Sequence, residues 1–187
     1  MEWKTLAIDI VAVAVVLVAS IIDLRTTKIP NKLTFPASAV GVIMNFAFFG
    51  WKAGLWAMAG WFTGALVMVA FNLVGNKKKM GFGDAKLIAA VGAFLQLNVL
   101  IAWGYFALLY GGFATLKFFT AIPWSHFGKM VKSASMGIAT PLEKEAEEKL
   151  TAVMNKPIAL APYIAAGTVL AILLEKPTKQ FLGIPTN

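Results

Sequence analysis

The chain has 187 residues, 59% of them apolar, and only 17 basic and 9 acidic side chains. A soluble globular domain has about 45–50% apolar and about 25% charged residues, so both departures point to a membrane protein. The lack of cysteine excludes disulfides, thiol nucleophiles and Cys-based zinc sites, and the lone histidine, His126, argues against a His-rich metal site or a Ser-His-Asp triad.

Leu6 to Ile22 is a nearly unbroken apolar run, and no small-x-small cleavage site precedes the polar loop at Asp23, so it reads as a mature membrane helix and not a signal peptide. Leu33 to Gly50 and Ala53 to Val74 follow as further spans, and Ile158 to Leu174 closes the series. Leu87 to Phe119 is too long for one span and short for two, with Gln96, Leu97 and Asn98 as the obvious turn. Loop charge decides between the two readings, because Lys and Arg accumulate on the cytoplasmic side. With two helices there, six spans result with the N-terminus outside, and 13 of the 17 basic residues fall inside, leaving Lys4, Lys52, Lys176 and Lys179 outside. With one helix the count is 9 against 8, so the six-span reading is preferred. It makes the fourth helix short, with its polar start at Gly81 to Lys86 at or just below the membrane surface.

Residues 121–157 are the one sizeable polar connector, cytoplasmic in this topology, and Pro141 to Val153 within it has the pattern of an amphipathic surface helix. The expected fold is therefore all-α: a single membrane-embedded domain, 1–187, of about six transmembrane helices plus that surface helix. Lys77, Lys78 and Lys79 read as anchors to anionic lipid headgroups. In a membrane protein the basic excess reflects topology, and nucleic acid is not an expected partner.

The nine acids are more informative than the bases. Four lie in the predicted surface helix, Glu2, Asp9 and Glu175 lie at outer helix ends, and Asp23 and Asp84 remain. Asp23 ends the first predicted helix and Asp84 begins the fourth, both on the cytoplasmic side. An ionisable group near the hydrocarbon boundary is costly and marks function by default. The bland alternative is that each caps a helix or pairs with a nearby cation. Two carboxylates brought close cannot both ionise easily, so the pair holds one proton. Its ionised member can activate water while the protonated member polarises a carbonyl, as in aspartic proteases. Such chemistry needs no metal, cofactor, cysteine, serine or histidine.

The flanks extend the pattern. Asp23-Leu24-Arg25-Thr26-Thr27-Lys28-Ile29-Pro30-Asn31 and Gly81-Phe82-Gly83-Asp84-Ala85-Lys86 together resemble the paired motifs of the type IV prepilin peptidases, which stand with preflagellin peptidases and presenilins among the Gly-x-Gly-Asp intramembrane aspartyl proteases. A softer match, Pro157 to Gly167, is similar to the Pro-x-x-Pro-x-x-x-x-Gly element of the family's last helix, with one extra residue between the prolines. The resemblance implies Asp23 and Asp84 as the catalytic pair, cleavage at the cytoplasmic face, and prepilin-like or preflagellin-like precursors as substrates, each with a short basic leader ending in Gly before an apolar helix. Gly81 and Gly83 are expected to leave space for substrate backbone, and Pro30 and Asn31 to fix the loop. Arg25 and Lys86 either tune the pair and hold substrate carbonyls, or reach out to lipid headgroups. Larger bacterial members carry a Cys-x-x-Cys zinc domain and N-methylate the product. With no cysteine, this chain resembles a peptidase-only form, and no metal site is implied. The competing functions are a small proton- or cation-coupled transporter using the same aspartates, and a non-catalytic membrane scaffold.

Overall fold

The computed structural model describes residues 2–74, 81–121 and 159–183. Those residues are all helical apart from short connections: α1 (Glu2–Thr26), α2 (Asn31–Phe49), α3 (Trp51–Val74), α4 (Phe82–Leu95), a single 3-10 turn (Gln96–Asn98), α5 (Val99–Ala121), α6 (Ala161–Leu173) and α7 (Glu175–Phe181). The connector helix expected at Pro141 to Val153, the lysines at 77–79, His126 and Pro157 lie outside the described residues. Among the described residues, three helical stretches are long and apolar enough to cross a membrane: Trp3–Thr26, Asn31–Phe49 and Phe82–Lys117. The chain is a polytopic membrane helix bundle, and its large outward residues, among them Leu6, Ile10, Phe46, Trp56 and Phe62, are exposed as lipid-facing side chains are.

Residues 1–107 with 159–187 form one compact unit, and residues 108–158 form another. In the second unit, Leu108 to Ala121 continues as helix, with the Thr115 hydroxyl donating to the Gly111 carbonyl at 2.8 Å and Lys117 Nζ 5.0 Å from the Phe113 ring centre.

The first unit is organised around α4. Every residue from Leu87 to Leu95 is buried, as expected of a helix apolar on all sides. At 14 residues, α4 is only about 21 Å long, against a hydrocarbon core of about 30 Å. It ends where the sequence predicts a turn. Gln96 adopts φ 54°, ψ −136°, which no helix accommodates. Beyond the turn the chain doubles back, because Ile88 and Val91 of α4 share one small cavity with Trp103 and Phe106 of α5 and Ile164 and Thr168 of α6. In a continuous helix Ile88 and Phe106 would stand about 27 Å apart and could not line it together. The Leu87–Phe119 stretch is thus two helices.

Small residues allow the close approach. Gly60 of α3 lies against Gly92 of α4, so that a Cβ on either would overlap the other's backbone carbonyl, and a Cβ on Gly64, one turn along, would come within 2.8 Å of the Ile88 carbonyl. This is the small-residue packing that membrane helices use in place of a hydrophobic driving force. Asn45 of α2 caps the far end of α4: its Nδ2 donates to the carbonyls of Ala93 and Phe94, each at 3.1 Å, and its Oδ1 accepts the Gln96 amide at 2.7 Å. The last carbonyls of a helix have no intrahelical partner, and in a dry bundle a side chain must supply one.

The last apolar run starts and ends inside its expected bounds of Ile158 to Leu174. Pro162 falls in the first turn of α6, where its missing N–H costs nothing. Pro177 lacks a donor and in a continuous helix its ring would clash with the carbonyl four residues back, that of Leu173, where α6 stops; α7 begins two residues on, at Glu175.

Candidate active site

Asp23 lies in the last turn of α1 and is 4% exposed. Asp84 is the third residue of α4 and partly buried. The two carboxylates come from different helices and lie within direct electrostatic reach of each other at one end of the bundle.

Each is placed by its local sequence. After Asp23 the helix stops because Thr27 takes up φ 53°, a left-handed conformation uncommon for a β-branched residue. Its N–H still closes onto the Asp23 carbonyl at 2.7 Å, and the Thr26 hydroxyl lies 2.9 Å from the carbonyls of both Ile22 and Lys28. This reversal turns the chain so that Ile29, 8% exposed, points inward. Pro30, extended at φ −71°, ψ 139°, then forms the N-cap of α2, its carbonyl accepting the Leu33 N–H at 3.0 Å. Asp84 is set up by Gly81, whose carbonyl accepts the Asp84 N–H at 3.1 Å and whose missing side chain leaves room for the carboxylate: a Cβ there would be 3.0 Å from Asp84 Oδ2.

One oxygen of Asp23 is already engaged. The backbone N–H of Ala161, the first residue of α6, donates to Asp23 Oδ2 at 3.1 Å. The free N–H groups of a helix N-terminus, together with its dipole, favour a carboxylate there. Nothing in the flanks of Asp23 shows this contact, which spans 138 positions. Pro162 was the available signal, since a proline near the start of an apolar run marks a helix N-terminus and so a set of unpaired donors.

The supporting residues divide into two groups. Gly83, Ile29, Asn31 and Lys86 join the two motifs to each other: a Cβ on Gly83 would fall 3.2 Å from the Ile29 Cβ, and Lys86 Nζ donates to Asn31 Oδ1 at 2.7 Å. The space beside Gly83 is thus taken by the protein's own loop. Arg25, by contrast, is exposed in the last turn of α1, and makes no ion pair among the described residues. Among those residues no group of three or more His, Cys, Asp or Glu side chains is placed to hold a metal.

The described residues thus define a polytopic membrane protein built of helices, with Asp23 and Asp84 at one end of its bundle. The chain belongs to the type IV leader peptidase family, whose pattern matches residues 10–119. It is similar to the prepilin leader peptidase/N-methyltransferase of Aeromonas hydrophila, with 30% identity over 175 residues that cover 91% of this chain and 50% of the relative. Proteins of the same description from Dickeya chrysanthemi and Escherichia coli K12 are 37% identical over 98 residues and 40% identical over 83, covering 51% and 42% of this chain and 35% and 36% of the relatives. The chain therefore spans about half the length of the Aeromonas relative and about a third of the other two. No solved structure matches it significantly.

Proposed function

We propose that this protein is an intramembrane aspartyl endopeptidase that removes the basic leader of prepilin-like precursors, with Asp23 and Asp84 as its catalytic pair. The observation that carries this reading is the convergence of two carboxylates from separate helices, one almost fully buried, at the end of the bundle where both motifs meet. In the reaction, a water molecule between the carboxylates gives a proton to the ionised one as its oxygen attacks the scissile carbonyl carbon. The protonated one donates to the carbonyl oxygen. The tetrahedral intermediate then breaks its C–N bond as the carboxyl protonated by the water gives its proton to the departing amine and the other carboxylate takes a proton from a hydroxyl of the intermediate, yielding a free carboxyl on the leader and a free amino group on the mature chain, with the pair back to one shared proton.

The short α4 supports a substrate arriving at the membrane surface, because a helix shorter than the bilayer leaves its first turn, and Asp84 with it, accessible to a leader junction. In this proposal the chain is a multi-pass protein of the cytoplasmic membrane with six spans, its N-terminus outside, its connector at residues 121–157 inside, and its aspartates facing the cytoplasm. The lysines at 77–79 would repel a basic leader and are assigned to lipid headgroups.

Co-expression with a precursor bearing a basic, Gly-terminated leader should give a shortened product, and Asp23→Asn or Asp84→Asn should leave the precursor at full length with the protein still in the membrane. Undiminished cleavage by either variant contradicts the proposal. Since the chain has no cysteine, single cysteines at Ser133 and Thr178 report topology cleanly: they should label from opposite faces, and same-face labelling would overturn six spans.

A further inference from the structure

The turn that carries Asp84 is fastened at both sides of that residue to the segment that follows Asp23. On one side Gly83 meets the backbone and Cβ of Ile29, with approaches of 3.4 Å to its nitrogen and 3.2 Å to its Cβ for an ideal Cβ at position 83. On the other, Lys86 Nζ donates to Asn31 Oδ1 at 2.7 Å and lies 5.4 Å from the centre of the Phe35 ring. Asn31 and Phe35 are one turn apart on the same face of α2, so the lysine is received by a polar group and an aromatic face together. A lysine has three donors and no fixed direction, and its natural course at a membrane surface is to extend toward headgroups. Here its head is held instead against the first turn of α2.

We infer that Lys86 is a positioning residue for the aspartate pair: by docking on Asn31 and Phe35 it fixes the first turn of α4, and so the Asp84 carboxylate, relative to Asp23. This rests on the aspartyl peptidase reading above and adds to it a role for a residue outside the pair. It also separates two functions that a lysine two residues from a catalytic aspartate could serve. If Lys86 held substrate through its charge, Asn31 would be irrelevant and the loss would appear in KM. A positioning role makes the acceptor on Asn31 as important as the donor on Lys86, and puts the loss in kcat, because reacting groups displaced by about 1 Å can cost about a hundredfold.

The test uses the full chain in detergent micelles with a precursor carrying a basic, Gly-terminated leader. Cleavage by the unaltered chain, abolished in Asp84→Asn, establishes the underlying reading; without it the peptidase reading itself fails. Given that activity, Asn31→Leu and Lys86→Met should each lower kcat about tenfold or more with KM changed less than about twofold, and the double variant should be no slower than the slower single, as expected for two halves of one interaction. Asn31→Asp, which keeps the acceptor oxygen, should stay within about threefold of the unaltered kcat. If Lys86→Met does not fold, Lys86→Gln, polar but too short to reach Asn31, decides in its place. A normal kcat in the Lys86 variant, a loss confined to KM, a harmless Asn31→Leu, or multiplying losses in the double variant would each overturn the inference.

Discussion

The first unit carries two carboxylate pairs, each with one member on α1 and set apart along it, and their surroundings differ. Asp9 and Glu175 lie at one end, about 21 Å along α1 from Asp23, beside a cavity of about 250 Å³ that Gln96 and Asn98 also line. There Glu175 Oε1 accepts the Asn98 amide at 2.8 Å and Lys179 Nζ at 2.6 Å, so a cation and an amide tie it off. At the other end Asp23 receives one backbone N–H, and neither Asp23 nor Asp84 has an ion-pair partner among the described residues. The cation nearest to Asp84 in the chain, Lys86, is engaged by Asn31 instead. In the proposed reading, two carboxylates without a cation partner can share one proton, as the peptidase chemistry requires, whereas the cation on Glu175 suits an anchoring role.

The comparison can be broken most forcefully at the aspartates. Asp23→Asn and Asp84→Asn should each reduce precursor cleavage by about 10²–10⁴-fold, the usual worth of a positioned acid or base, and the double variant should be no slower than either single, since the pair acts as a unit. Next in size is the helix packing that holds α4 between the two ends: Gly92→Ala forces a Cβ into the Gly60 carbonyl and should cost about 1–3 kcal/mol, read as a lower melting temperature in detergent. Asn45→Leu, which leaves the Ala93 and Phe94 carbonyls and the Gln96 amide unpaired, should cost about 1 kcal/mol by the same measurement while leaving the aspartate end in place. At the other carboxylate pair, Glu175→Gln should cost about 0.5 kcal/mol or less, the worth of one i,i+4 ion pair, and Asp9→Asn should leave cleavage within about twofold. An Asp9→Asn variant as inactive as Asp84→Asn would erase the distinction between the ends.

Features set by local chemistry were legible in the sequence. The break at Gln96–Asn98, the shortness of α4, and the placement of Asp23 at a helix end and Asp84 at a helix start follow from apolar run lengths, loop charge and glycine positions. What could not be read are contacts between residues far apart in the chain. Ala161 gives its N–H to Asp23 from the start of the last apolar run, and Lys86 finds Asn31 across 55 positions. At Gly83 the sequence shows only that a side chain is missing, not that Ile29 packs against the position. Asn45 is one polar residue in an apolar run, and nothing in the sequence shows that it ties α2 to the end of α4. The α7 helix was likewise hidden, as its seven residues, Glu175–Phe181, have neither the length nor the apolarity of a span.

The central claim, that Asp23 and Asp84 perform the cleavage together, is tested most directly with the purified chain in micelles and a synthetic precursor, following the product by mass spectrometry. The account predicts a single cut at the leader junction by the unaltered chain, and none by folded Asp23→Asn or by folded Asp84→Asn. A product of the same mass, released at an undiminished rate by either variant, would contradict it.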